Sequence, residues 1–293
     1  MNRSIIYLIL LTAIFPLRAM SAEKTIRILA IGNSFSQDAV EQNFSEICKS
    51  QNKNVEIGNL YIPGCSIDTH YNNLLNNTPA YSFRFINTEG EKTVKEHVTL
   101  REAIKSAEWD YISFQQVSQY SGMYSTLKYL PEFIIKVRQL AGARTIFMWH
   151  STWAYSPFST HAGFKNYGNS QLTMYHNIIS VAQRVMKENP SLKILIPSGT
   201  AIQNARTVII AGKDLTRDGY HLDLKIGRYT AALCWYLAIF GPAFEYPVYI
   251  PSNISKTMAK EAREAATEAV LHPFQITLIP PAASVTQVKS HVA

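Results

Sequence analysis

Ser34 stands where an apolar stretch gives out, in LAIGNSFS at residues 29–36. A hydroxyl at such a break can cap the next helix, sit in a phosphate-binding turn, or attack an electrophile. A phosphate loop brings several glycines, yet only Gly32 is present and no lysine follows. The elbow G-x-S-x-G of α/β-hydrolases is incomplete, because Ser36 holds the place of its last glycine. An attacking serine also needs a base, a carboxylate to orient it, and donors for the oxyanion. LTRDGYHLDLKIGRY, residues 215–229, supplies Asp218 and His221. Three residues apart on a turn, the carboxylate can bend back to hold one ring nitrogen and leave the other for Ser34. By itself D-x-x-H is equally a capping Asp beside a surface His, and Ser34 by itself equally a helix cap.

Other residues lie at places where a ligand would pass. His70, in CSIDTHYNN, follows Gly64 closely and is a substrate-pocket candidate. His150 and Trp153, with Tyr155, lie in WHSTWAYS after an apolar run, where an aromatic ring can stack on a sugar. Gln203 and Arg206, in SGTAIQNAR, are candidates for holding a carboxylate or hydroxyls. His97, His161 and His176 have no partners at ligand spacing, and no His/Asp/Glu cluster marks a metal site. Cys48, Cys65 and Cys234 give neither a disulfide framework nor zinc spacing, and burial is their expected role.

The elements that must position these residues alternate in type. Apolar, β-branched stretches at 24–31, 54–62, 111–114, 145–149 and 193–197 read as strands. Ser36 reads as the cap of a helix carrying Val40, Phe44, Ile47 and Cys48 on one face. Further helices are expected at 131–141, 171–187, after Ser198, at 224–240 and at 256–271. The stretch 65–107 reads as an insert holding a hairpin that turns near Glu89-Gly90, then a short helix with Thr99 and Glu102 as its capping box. Strands alternating with helices predict a parallel sheet covered on both faces, with ligands at the carboxyl ends of its strands. Ser34, Gly64, Gln115, Gln116, His150 and Ser198 then fall on one rim.

Taken in order, GNSFS, PGCS, FQQVS and DGYHL resemble the SGNH hydrolase superfamily of GDSL-like esterases. The longer blocks WDYISFQQVS, STWAY, IPSGTAIQNAR and DGYHLDLKIGRY look like a bacterial branch of it long labelled only as a domain of unknown function. The resemblance implies a flavodoxin-like α/β/α sandwich with a central five-stranded parallel sheet. It also implies ester hydrolysis with Ser34 as nucleophile, His221 as base and Asp218 as its orienting partner. It places oxyanion donors at the N–H groups of Ser34 and Gly64 and at an amide side chain after the third strand. That amide is an asparagine in the superfamily. Here Gln115 and Gln116 stand in its place, Gln115 being preferred, and Asn33 replaces the acidic residue common before the serine. No metal or organic cofactor is implied.

Length and charge set the outer limits. Residues 1–22 carry Arg3, an apolar run from Ile5 to Leu17 and a small-residue end, the pattern of a signal peptide. No lipobox cysteine accompanies it, so a periplasmic or secreted location is expected, with no stable membrane insertion once the leader is removed. Residues 23–279 suit one large α/β domain, and 280–293 a loose tail. Removing Arg3 and Arg18 takes the formal charge from +7 to +5 without a basic run, weak grounds for a nucleic-acid partner. The export signal and rim aromatics point to a carbohydrate ester, most simply an acetyl ester. A uronic-acid methyl ester is one alternative, and a glycan-binding protein without catalysis is the other. Oligomeric state is not legible.

Overall fold

A computed structural model of the chain describes residues 24–208 and 214–281. The expected leader lies outside the described residues, as does the tail beyond residue 281. Strands β1 (Ile26–Gly32), β2 (Val55–Tyr61), β5 (Tyr111–Phe114), β6 (Ile146–His150) and β7 (Leu192–Ile196) are mutually parallel. Strand β3 (Tyr81–Ile86) pairs antiparallel with β2, and β4 (Lys92–Val98) antiparallel with β3. The sheet therefore has seven strands in the order β4-β3-β2-β1-β5-β6-β7, not the five expected. The hairpin of the insert does not stand off from the domain. Its first strand completes the hydrogen bonding of β2, which would otherwise be an open edge.

Alternation along β1 shows how the sheet divides the core. Ile28 and Ala30 face one apolar cluster, Leu29 and Ile31 the other. The first cluster is closed by α1 (Ser34–Val40), α2 (Phe44–Ser50), α8 (Ile226–Phe240) and α9 (Lys256–Leu271); the second by α3 (Ile67–Asn76), α4 (Leu100–Lys105) and α5 (Leu130–Ala141). Helix α8 is apolar almost all round because it is buried almost all round, between the sheet and α9. Helix α9 meets it with Ala259, Ala262, Ala265, Ala266 and Ala269, whose small side chains allow close approach. Two further helices, α6 (Gln171–Glu188) and α7 (Ser198–Ala205), flank β7.

The capping box of Thr99 and Glu102 is formed on both sides, and Gly90, at φ +89°, turns the hairpin. Two local expectations are corrected. Asn33 rather than Ser36 caps α1, and Ser36 turns inward, its Oγ donating to Asn33 O and to Asn59 Oδ1. The helix expected through Cys48 breaks near Asn43, whose φ of 69° no α-helix accommodates. Among the described residues no helix is long and apolar enough to cross a membrane.

Candidate active site

Chain reversal between β1 and β5 places the sheet's switch point at the carboxyl end of β1, where α/β sheets open a crevice. Ser34 begins α1 there, half-buried. Gly32 is required by packing, since an added Cβ would collide with Ser36 Oγ and touch the Gln115 side chain. Ser34 Oγ lies 2.8 Å from His221 Nε2, and His221 Nδ1–H donates to Asp218 Oδ2 at 2.6 Å. The second carboxylate oxygen accepts from the N–H groups of His221 (2.8 Å) and Tyr220 (3.2 Å). Burial pushes the Asp218 carboxyl up, but the bonds from the His221 ring and these N–H groups outweigh it, and the net displacement is downward. An ionised Asp218 holds the ring with Nε2 as the acceptor facing the serine.

The loop after β2 approaches the same point. Gly64 is exposed, sits at φ +62° where glycine is favoured, and its N–H has no partner among the described residues. Asn33 links this loop to Ser34: its Nδ2 donates to Cys65 O (3.0 Å), and its Oδ1 accepts from Phe35 N–H (3.0 Å) and Gln115 Nε2 (2.8 Å). Aspartate could not make the first of these bonds, which accounts for an amide at position 33.

Anchored on those two backbone groups, the rest of the network has one assignment. Gln115 Nε2 donates to Asn33, so its Oε1 accepts from His150 Nδ1–H at 2.8 Å, and His150 Nε2 accepts from Ser198 Oγ at 3.0 Å. Gln115, 2% exposed, thus bridges Asn33 and His150 behind the serine, spending one of its two amide hydrogens on Asn33, and His150 is 1% exposed. Gln116 is further removed. Its Oε1 accepts from Ile67 and Val117 N–H, and both its amide hydrogens go to Thr126. The expectation of a glutamine in the oxyanion hole is corrected accordingly for Gln116, and Gln115 is occupied with orienting Asn33.

Among the candidates for substrate contact, His70 is fully buried between Tyr81 and Phe133, bonded to Tyr81 Oη at 3.0 Å. Trp153 is also fully buried. It stacks on Phe35 at 4.3 Å and donates from Nε1 to Tyr220 O at 2.8 Å. Neither they nor His150 can face a ligand. Gln203 is buried between Gln171 and Arg206. Arg206 alone of this set lines a cavity of about 470 Å³, together with Ser156, Phe158, Gln171, Thr216 and Asp218. Its guanidinium donates to Ala154 O, Asp214 O and Gln203 Oε1 and makes no ion pair among the described residues.

A family model described as a domain of unknown function, DUF4886, matches residues 27–269. The chain belongs to the DUF4886 family. A crystal structure of a DUF4886 family protein from Bacteroides uniformis is 44% identical, with a TM-score of 0.82, over 87% of this chain and 98% of that one. Two remoter solved structures are TesA (12% identity, TM-score 0.45, 73% of this chain and 98% of that one) and the salicylyl-acyltransferase SsfX3 from a tetracycline biosynthetic pathway (11%, 0.39, 75% and 55%). No curated protein matches.

Several residues of this DUF4886 site carried no signal in the sequence. His161 packs its ring edge-on to Tyr220 at 4.8 Å, and Tyr220 lies 4.2 Å from the His221 ring. Burial, then the nearby His221, lowers the His161 pKa. Phe158 is 86% exposed at the cavity wall. Asp38 is wholly buried one helical turn beyond Ser34.

Burial of two histidines has a consequence for acid stability. Desolvation takes both His70 and His150 from 6.5 down to about 3. Between those values the unfolded chain binds protons that the folded one does not. Their contribution is fully present above about 6.5 and is lost as the pH falls towards about 3. Each adds about 1.4 kcal/mol of loss per pH unit in that window. Urea unfolding at pH 7 and at pH 5 should show a markedly lower midpoint at pH 5; equal midpoints would rule this out.

Proposed function

We propose that this protein is a serine esterase of the SGNH type, exported to the periplasm or medium, that removes an acyl group, most simply acetyl, from a carbohydrate. The observation that carries the reading is the unbroken chain Ser34 Oγ–His221–Asp218 at 2.8 and 2.6 Å, whose Asp218 lines the cavity of about 470 Å³. In the proposed cycle His221 Nε2 takes the serine proton as Oγ attacks the ester carbonyl. The N–H groups of Ser34 and Gly64 receive the oxyanion. Collapse breaks the ester C–O bond, and His221 returns the proton to the departing sugar oxygen. Water, deprotonated by the same nitrogen, attacks the acyl-serine, releasing acetate and restoring Oγ–H. Asp218 holds the ring throughout.

Support for a sugar comes from the cavity beside Asp218, where exposed Phe158 stands among Ser156, Gln171 and Thr216, an apolar face with directed polar groups. Arg206 in the same wall favours a second reading, a methyl ester of a uronic acid, whose neighbouring carboxylates it would attract. Turnover of a panel of acetylated and methyl-esterified glycans tests both. Release of acetate from the first set supports the main reading, release of methanol from the second supports the alternative, and inactivity on every ester leaves the glycan-binding reading.

The proposed role of Gly64 gives a separable prediction. An added Cβ there meets no atom within 4 Å, so Gly64→Ala costs only the left-handed backbone, about 1–2 kcal/mol. Relaxation of that backbone swings the N–H away, and kcat is expected to fall about tenfold, or more if the donor is lost outright. A lowered Tm with unchanged kcat would make Gly64 a turn residue and nothing else.

A further inference from the structure

The carboxylate of Asp38 grips both ends of the loop that carries Asp218 and His221. Its Oδ2 accepts from Leu222 N–H at 2.8 Å and from Arg217 Nη1 at 3.1 Å; its Oδ1 accepts from Arg228 Nη2 at 2.5 Å. Arg217 precedes Asp218 and Leu222 follows His221. The loop is closed on itself as well, Arg217 N–H donating to His221 O at 2.9 Å and Arg217 Nη1 to Leu222 O. Ser34 and Asp38 are four residues apart on α1, one turn of the same helix face. Asp38 is 0% exposed, and Arg228, which fixes it from α8, is 13% exposed. A buried carboxylate serving two cations and a backbone N–H is held in a single place, and it transmits that place to the loop.

We infer that Asp38 is a positioning residue: it locks the helix bearing Ser34 to the loop bearing His221 and so sets their 2.8 Å contact. Asp38 makes no hydrogen bond to Ser34 Oγ or to the His221 ring among the described residues. The inference rests on the proposed esterase reading for its kinetic consequence, but the lock itself does not.

The test compares two buried carboxylates of the same region. Glu41, at the end of α1, is 3% exposed, pairs with Arg84 and Lys92 of the β3–β4 hairpin and accepts from Asn59 Nδ2, with no hydrogen bond or ion pair to residues 217–222 among the described residues. Asp38→Asn, Glu41→Gln and wild type are assayed on p-nitrophenyl acetate and by amide hydrogen exchange of residues 215–224. Asp38→Asn is expected to lower kcat about 100-fold with KM within about threefold, since a misplacement of about 1 Å has that cost. Exchange in 215–224 should quicken at least tenfold. Glu41→Gln should leave kcat within about threefold and the exchange unchanged, whatever its Tm. Equal losses of kcat in the two variants, or unchanged exchange in Asp38→Asn, overturn the inference. Should Asp38→Asn fail to fold, Arg217→Gln, on a part-exposed side chain, removes one strand of the lock; quickened exchange and a roughly tenfold lower kcat are then expected, and wild-type values overturn it. A wild type inert towards every ester sinks the esterase reading, while the exchange experiment still decides the lock.

Discussion

Ser34→Ala is expected to reduce kcat/KM on an activated acetyl ester by about 10⁴- to 10⁶-fold, with the fold and Tm preserved. The magnitude follows from removing a member of a nucleophile–base–carboxylate unit, whose parts act together and not additively. Stability should hold because Ser34 is half-buried and its hydroxyl bonds only to His221 among the described residues. The substitution leaves in place Asn33, which caps α1, and the backbone N–H groups proposed as oxyanion donors. A residual rate above water is therefore expected. Steady-state assay and circular dichroism on the two proteins decide the matter. Equal turnover by wild type and variant would remove Ser34 from the chemistry, and negligible turnover by both would favour a glycan-binding protein. His221→Ala should match the loss, because among the described residues the His221 ring is the only hydrogen-bond partner of Ser34 Oγ.

Trp153→Ala should be strongly destabilising, and should also reach the chemistry. The ring is fully buried, stacked 4.3 Å from Phe35, the neighbour of Ser34, and its Nε1–H holds the carbonyl of Tyr220, the neighbour of His221. Truncation loses the transfer free energy and leaves a void, about 3–5 kcal/mol together. Tyr220 O also loses its partner, so the loop should loosen and kcat should fall even where the protein remains folded. Trp153→Phe separates the two effects. It restores most of the packing without the donor, so Tm should recover more than kcat. Thermal unfolding with parallel kinetics on all three proteins checks this; Tm and kcat recovering together would assign Trp153 to packing alone.

Much of the layered architecture follows from local patterns. Strands at 111–114 and 192–196, helices at 171–188 and 256–271, and the Thr99–Glu102 box are set by apolar period and capping chemistry within a few residues of chain. The hairpin within 65–107 was legible as a hairpin, but its docking on β2 was not, because pairing across the sheet depends on which edge is open. Helix α3 went unseen in the same stretch. Its apolar face is short and interrupted by asparagines that favour turns.

The sequence by itself determined the types and order of the residues around the candidate site: a serine after the first strand, a glycine after the second, amides after the third, and D-x-x-H before a late helix. These are local facts, each tied to an element boundary. Only the tertiary structure decided which way the side chains point. Burial turned His70, His150 and Trp153 inward, and each ring finds a hydrogen-bond partner from elsewhere in the fold: Tyr81 for His70, Gln115 and Ser198 for His150, Tyr220 O for Trp153. The same accounting turned Gln115 and Gln116 to bonds within the protein, because a buried amide must satisfy its donors and acceptors nearby. Asp38 shows the limit most clearly. Nothing in SFSQDAV marks it, and its place is set by Arg217, Leu222 and Arg228, about 180 residues further along the chain.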